Sequence, residues 1–135
     1  MKKLIGIILS LVCILGLVGC SKETTYQSTE IPNVSIRISN ISPTGATIII
    51  KDSNEKTHTY GTWYQIEKKA NGEWHEIETV IDNYGFGLVG YLPNNNGEIE
   101  FTIEWEWLYG KLPTGQYRLL KQVDNQYISV EFEIV

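Results

Sequence analysis

The sequence predicts an all-β domain of about seven strands, built as two antiparallel sheets packed face to face, behind a short apolar leader. Three observations carry this. Apolar and polar residues alternate in run after run, which turns one face of an extended chain toward a core. Clusters of Gly, Pro, Asn, Asp and Ser interrupt these runs at short intervals, as in a sandwich. Beyond the leader, no stretch sustains a helical period.

The leader comes first. Met1-Lys2-Lys3 is basic, and Leu4 to Val18 is uncharged and rich in Leu, Ile and Val. A membrane span needs roughly 20 apolar residues. This run is shorter and closes on small residues, as a secretory signal does. Its end, Leu17-Val18-Gly19-Cys20, resembles the lipobox of bacterial lipoprotein precursors. The resemblance implies a signal peptide over residues 1–19, with diacylglycerol added to the Cys20 thiol before cleavage frees Cys20 as the N-terminus. A thiol is the soft nucleophile such a transfer needs, and two acyl chains together give stable anchoring. The expected location is therefore the cell membrane, lipid-anchored and facing outside the cytoplasm, with the membrane itself as one partner.

Without the leader, the chain keeps 116 residues, enough for one domain with a true core. It carries 9 basic and 16 acidic residues, a formal charge of −7, which speaks against nucleic acid as a partner. Cys13 lies in the leader and Cys20 is the lipidation candidate, so no pair remains for a disulfide. Packing must hold the core, and four Trp, eight Tyr and three Phe supply the large side chains.

Residues 20–33 read as a lipidated N-terminus and a flexible polar tether; the thirteen residues from Ser21 reach about 40 Å at ~3.3 Å each. The domain proper is expected over 34–135. Val34, Ile36 and Ile38 alternate in a first strand, and Ile48 and Ile50 face inward in a second over Ala46–Lys51. Thr57–Lys69 reads as a longer strand, with Tyr64 and Ile66 on one face and Trp63, Gln65 and Glu67 on the other. Asn71-Gly72 favours a type I′ hairpin turn, since both residues tolerate positive φ. The returning strand is expected over Glu73–Ile81, with Trp74 near Trp63 across the hairpin or on a neighbouring face.

Asp82–Gly97 is rich in glycine and asparagine and holds Tyr84, Phe86 and Tyr91. Long loops in compact domains are uncommon and often functional. Glu98–Trp107 then alternates most sharply of all. Ile99, Phe101, Ile103, Trp105 and Trp107 share one face, while Glu98, Glu100, Glu104 and Glu106 share the other. Trp105 and Trp107 are therefore expected in the core, and the glutamate stripe in solvent. Gln116–Val123 and Gln126–Val135 close the domain.

Two resemblances follow from particular residues. Leu112-Pro113-Thr114-Gly115-Gln116-Tyr117-Arg118 is similar to the tyrosine corner of immunoglobulin and fibronectin type III sandwiches, which makes Tyr117 a structural residue bonded back to the preceding connection. More broadly, Asn40–Thr47, Tyr60–Lys68 and Trp105–Pro113 resemble the bacterial immunoglobulin-like domains of surface lipoproteins, over roughly Val34 to Val135. The resemblance implies the sandwich fold and a surface address, but transfers no catalytic residue.

Catalysis finds little support in the chain. His58 and His75 are its two histidines, a zinc site needs three or four ligands at recognisable spacing, and no glycine-rich phosphate loop precedes a helix. Neither a cofactor nor a metal is expected. The expected function is a displayed immunoglobulin-like binding or interaction module, with a protein or a glycan as its ligand. A carbohydrate- or cell-wall-binding module using exposed aromatics is the alternative. Tyr84, Phe86, Tyr91 and Trp63 are the binding candidates, with the working surface placed on the Asp82–Gly97 loop rather than on the glutamate stripe.

Overall fold

A computed structural model describes residues 26–135; residues 1–25, with the leader, Cys20 and the first part of the expected tether, lie outside the described residues. Seven strands run in order: β1 (Val34–Ser42), β2 (Gly45–Asp52), β3 (Tyr64–Ala70), β4 (Glu73–Glu76), β5 (Glu98–Glu104), β6 (Gly115–Val123) and β7 (Gln126–Ile134). One helical turn, α1 (Glu106–Tyr109), separates β5 from β6. The strands form two antiparallel sheets, ordered β1-β2-β5 and β4-β3-β6-β7. This is an immunoglobulin-like β-sandwich.

The alternation in sequence places the core. Ile48, Ile50, Ile66, Leu119 and Val123 have no exposed surface, each contributing about 1.5–3 kcal/mol by burial. A column of rings joins the sheets: Trp105 stacks on Phe132 at 5.4 Å, and Phe132 on Tyr117 at 5.6 Å. The polar edges of this column are satisfied. Trp105 Nε1 donates to the Pro43 carbonyl at 2.8 Å, and the Tyr117 hydroxyl donates to the Pro113 carbonyl at 2.6 Å. Asn71 and Gly72 take φ of 54° and 78°, the left-handed pair that a type I′ turn requires. Gly97, at φ 77°, has no room for a side chain, since a Cβ there would lie 2.6 Å from the Asp52 carbonyl oxygen.

Several elements depart from the sequence expectation. The long strand over Thr57–Lys69 begins only at Tyr64, because Asp52 and Tyr91 bind the residues before it. The Asp52 carboxylate accepts from the His58 N–H at 2.8 Å, and Tyr60 exchanges backbone bonds with Tyr91. The returning strand stops at Glu76, where the ladder to β3 ends at Glu67. Next along β3, the Ile66 N–H is taken by the Tyr109 hydroxyl at 3.3 Å. Alternation over Glu98–Trp107 also ends early. Trp105 is fully buried, but α1 turns the chain and leaves Trp107 45% exposed, outside the core that it was expected to join.

The tether is the other correction. From Tyr26 onward the chain lies on the sandwich. Ser28 forms a parallel bridge to Tyr127, the Thr29 N–H donates to the Tyr127 carbonyl at 2.8 Å, and Ile31 is buried. This segment covers the outer face of the four-stranded sheet. Gln65 and Glu67 are therefore buried even though they point away from the core. Trp63 is likewise half-buried on that face, its ring 5.5 Å from Tyr26 and 5.6 Å from Tyr127. Trp74 sits apart, opposite Lys69 on β3 and beneath the Arg118 guanidinium.

Candidate functional site

The connection from β4 to β5, residues 77–97, is long but strapped down. Tyr60 and Tyr91 exchange backbone hydrogen bonds at 2.9 and 2.7 Å, and the Thr62 hydroxyl donates to the Gly87 carbonyl at 2.7 Å. The Val80 N–H donates to the Leu108 carbonyl at 2.7 Å, tying the loop to α1. Gly90 lets the strap pass closely, since a Cβ there would meet Thr59 Cγ2 at 2.7 Å. Between this loop and β5 lies a groove of about 450 Å³, walled by Phe86, Tyr91, Phe101 and Trp107, with Tyr64 and Lys121 among its deeper residues.

The rings pack as an edge-to-face chain. Phe86 lies 5.2 Å from Tyr64 and 6.1 Å from Trp107, and Tyr91 lies 5.9 Å from Phe101. Lys121 is 1% exposed. Its Nζ donates to the Gly61 carbonyl at 2.7 Å and sits 4.0 Å from the centre of the Phe101 ring. Burial pushes its pKa down to about 8, because a desolvated ammonium is costly. The Tyr64 hydroxyl is buried without a hydrogen-bond partner. Burial raises its pKa to about 12, and the Trp107 indole, outside hydrogen-bond geometry, offsets this only in part. The groove thus offers aromatic contact area over two buried polar groups that the fold leaves under-satisfied.

Two other polar clusters are complete. Asp52 accepts from the His58 N–H, His58 Nδ1 and the Tyr60 hydroxyl on one oxygen, and from Asn54 on the other. Burial alone would raise its pKa, but the hydrogen bonds from His58 and Asn54 outweigh burial and hold it well below the usual carboxylate range. Glu67 accepts from Arg118 Nε at 2.8 Å and from Gln65 at 2.9 Å, while Arg118 also donates to the Tyr26 carbonyl at 3.0 Å. Both clusters spend their polar atoms on the fold.

The residues singled out from sequence separate accordingly. Tyr84, Phe86 and Tyr91 lie on the loop, with Tyr84 and Tyr91 exposed and Phe86 half-buried against Tyr64. Trp107 joins Phe86 and Tyr91 at the groove, while Tyr84 packs on Phe86 outside it. Trp63 lies outside this groove, its ring against Tyr26 and Tyr127, but it lines a second hollow with Phe86, Leu88 and Val89 of the loop. Trp105 and Tyr117 sit in the core. Cys20 lies outside the described residues.

Sequence reasoning overlooked Val80, Leu88, Val89 and Leu92. They are among the most exposed apolar side chains described; Leu88 is 103% exposed and Leu92 is 68% exposed. Their signal was present as apolar residues without alternation in a glycine-rich stretch. The same reasoning also missed Lys121, a cation at an inward-facing strand position.

Residues 30–133 match the model of a family described as Bacterial Ig-like domain. No curated protein matches the chain, and no solved structure does. The family match spans most of the sequence and takes in six of the seven strands whole and all of β7 but its last residue, so the chain belongs to the bacterial Ig-like domain family.

Proposed function

We propose that this protein is a lipid-anchored module facing outside the cytoplasm, and that it binds a protein partner through the 77–97 loop. The anchor rests on Leu17-Val18-Gly19-Cys20 at the end of the apolar leader. Binding rests on one observation above all, the concentration of exposed apolar side chains between Val80 and Leu92. Large apolar side chains held in solvent on one strapped loop favour a surface that something covers. Strapping of the loop reduces the entropy lost when it is covered.

The test is cross-linking on intact cells followed by identification of what is captured. Leu88→Ser combined with Leu92→Ser should abolish capture. Capture of the same partners at wild-type yield would refute the reading. For the anchor, mass spectrometry of the membrane fraction should find an acylated N-terminus at Cys20, and Cys20→Ala should leave the precursor whole. A mature N-terminus elsewhere, or one without lipid, would remove the anchor.

A glycan stacked on aromatic rings is the second reading. It draws on Trp107, exposed beside the groove, and on Trp63, half-buried against Tyr26 and Tyr127 but lining a hollow with Leu88 and Val89.

A further inference from the structure

β5 is an edge strand. It pairs with β2, and no described strand lies on its other side. The direction of its backbone groups follows from its two ends. The Gly97 carbonyl accepts from the Asp52 N–H at 2.7 Å, and the Trp105 N–H donates to the Thr44 carbonyl at 2.9 Å. Odd-numbered residues therefore direct their backbone groups to β2, and even-numbered residues direct theirs outward. Glu98, the first of these, is satisfied. Its carbonyl accepts from the Asn94 N–H at 2.8 Å, and its own N–H donates to Asn94 Oδ1 at 3.0 Å. Beyond it, the outward N–H and C=O groups of Glu100, Thr102 and Glu104 meet no partner among the described residues. Asn94 begins a ladder that stops after one rung. The groove runs beside this open edge, with Glu100, Thr102 and Glu104 along one side and Phe86, Tyr91 and Trp107 across from them.

We propose that the β5 edge receives an extended peptide segment of the partner protein as an added strand, one that alternates apolar and basic residues. This rests on the recognition reading above and specifies the form of the partner. An added strand would bond to Glu100, Thr102 and Glu104 through its backbone, and its side chains would point alternately to the two faces. Those turned inward lie beside Ile99, Phe101 and Ile103 and enter the aromatic groove, which suits apolar residues. Those turned outward stand beside Glu98, Glu100 and Glu104, where opposite charge is favourable and like charge is not. The same acidity disfavours a second copy of this chain, because two β5 edges brought together would oppose glutamate to glutamate.

The experiment uses the full chain and three synthetic probes: a nine-residue peptide alternating valine and lysine, its valine–glutamate counterpart, and the lysine peptide N-methylated at alternate amides. Amide hydrogen exchange is read residue by residue. The lysine peptide should slow exchange at Glu100, Thr102 and Glu104 at least about tenfold, as new ladder bonds do, while Ile99, Phe101 and Ile103 stay as they were. The other two probes should not. Glu100→Lys combined with Glu104→Lys should weaken the lysine peptide by about tenfold at an unchanged unfolding midpoint.

The proposal fails if the lysine peptide leaves these amides unprotected, or if the glutamate peptide protects them equally. Protection that rises with protein concentration alone identifies a second copy as the occupant and also overturns it. Loss of cellular capture in Leu88→Ser/Leu92→Ser, with normal capture in Glu100→Lys/Glu104→Lys and in Thr102→Pro, would remove strand addition while leaving loop recognition standing.

Discussion

The sandwich has two open flanks, and the chain treats them differently. On one, the edge strand β7 is met by the protein's own N-terminal segment, Ser28 bridging Tyr127 and the Thr29 N–H bonding the Tyr127 carbonyl. On the other, the 77–97 loop passes beside β5 and supplies a backbone partner only at Glu98. Each flank also has a buried cation from β6. Arg118 has the Glu67 carboxylate and the Tyr26 carbonyl, whereas Lys121 has one carbonyl and a ring face. Unpaired strand edges invite association, and proteins usually cover or blunt them. Among the described residues the chain docks its own N-terminal segment at one end of β7, and it leaves the β5 flank with aromatic walls, acidic side chains and unmade hydrogen bonds. The incomplete flank is therefore where a partner is expected.

The contrast can be broken most severely at Arg118. Arg118→Ala should cost about 3–5 kcal/mol, because it strands the buried Glu67 carboxylate, and it should lower the urea midpoint accordingly. It should also speed exchange at the Thr29 N–H, since the Tyr26 carbonyl loses its donor. Tyr117→Phe should cost about 1–3 kcal/mol by leaving the Pro113 carbonyl without its donor. It serves as a control, lowering the midpoint at unchanged denaturant slope without altering exchange at either edge.

Lys121 gives the open flank a pH signature. Burial brings its folded pKa to about 8, below the ordinary lysine value of 10.5, so the unfolded chain binds more protons between those limits. Stability should rise with pH across that window. Above about pH 10 the sign reverses. Tyr64 is held neutral by burial up to about 12, and Tyr60 and Tyr109 are raised further, so the unfolded chain is then the one that releases protons. Stability should therefore peak near the alkaline end, and Lys121→Met should flatten the rise while keeping the fall. Unfolding midpoints measured from pH 7 to 11 test this. The smallest effect is expected at the loop tip. Leu88→Ser/Leu92→Ser should change stability by about 0.5 kcal/mol or less, because both side chains already lie in solvent.

How far the sequence could be read followed from how local each cause was. Alternation and turn chemistry located the strands, and Asn71-Gly72 named its own turn. Trp107 was misplaced because Trp105-Glu106-Trp107 keeps a period of two on paper while α1 has already begun. The burial of Gln65 and Glu67 was invisible because their cover, Tyr26 and its neighbours, is distant in sequence and has no period. The early end of β4 depends on a tyrosine hydroxyl more than thirty residues away, reaching the Ile66 N–H. At the groove, Phe86 and Tyr91, with Tyr84 next to Phe86, were recognisable as aromatics in a glycine-rich loop. The bare edge was not, since a missing strand partner leaves no mark in the sequence.

The docked N-terminal segment also sets a leash. With a lipid on Cys20, the six residues from there to Tyr26 span at most about 20 Å, roughly half the length of a tether running free to Asn33. The domain then stands close to the headgroups, and tension applied by a bound partner reaches the anchor through the contact of Tyr26, Ser28 and Thr29 with β7. Peeling that contact would release the slack of residues 26–30, up to the buried Ile31, before the sandwich itself bore the load. The covered flank would then act as a mechanical fuse as well as a seal.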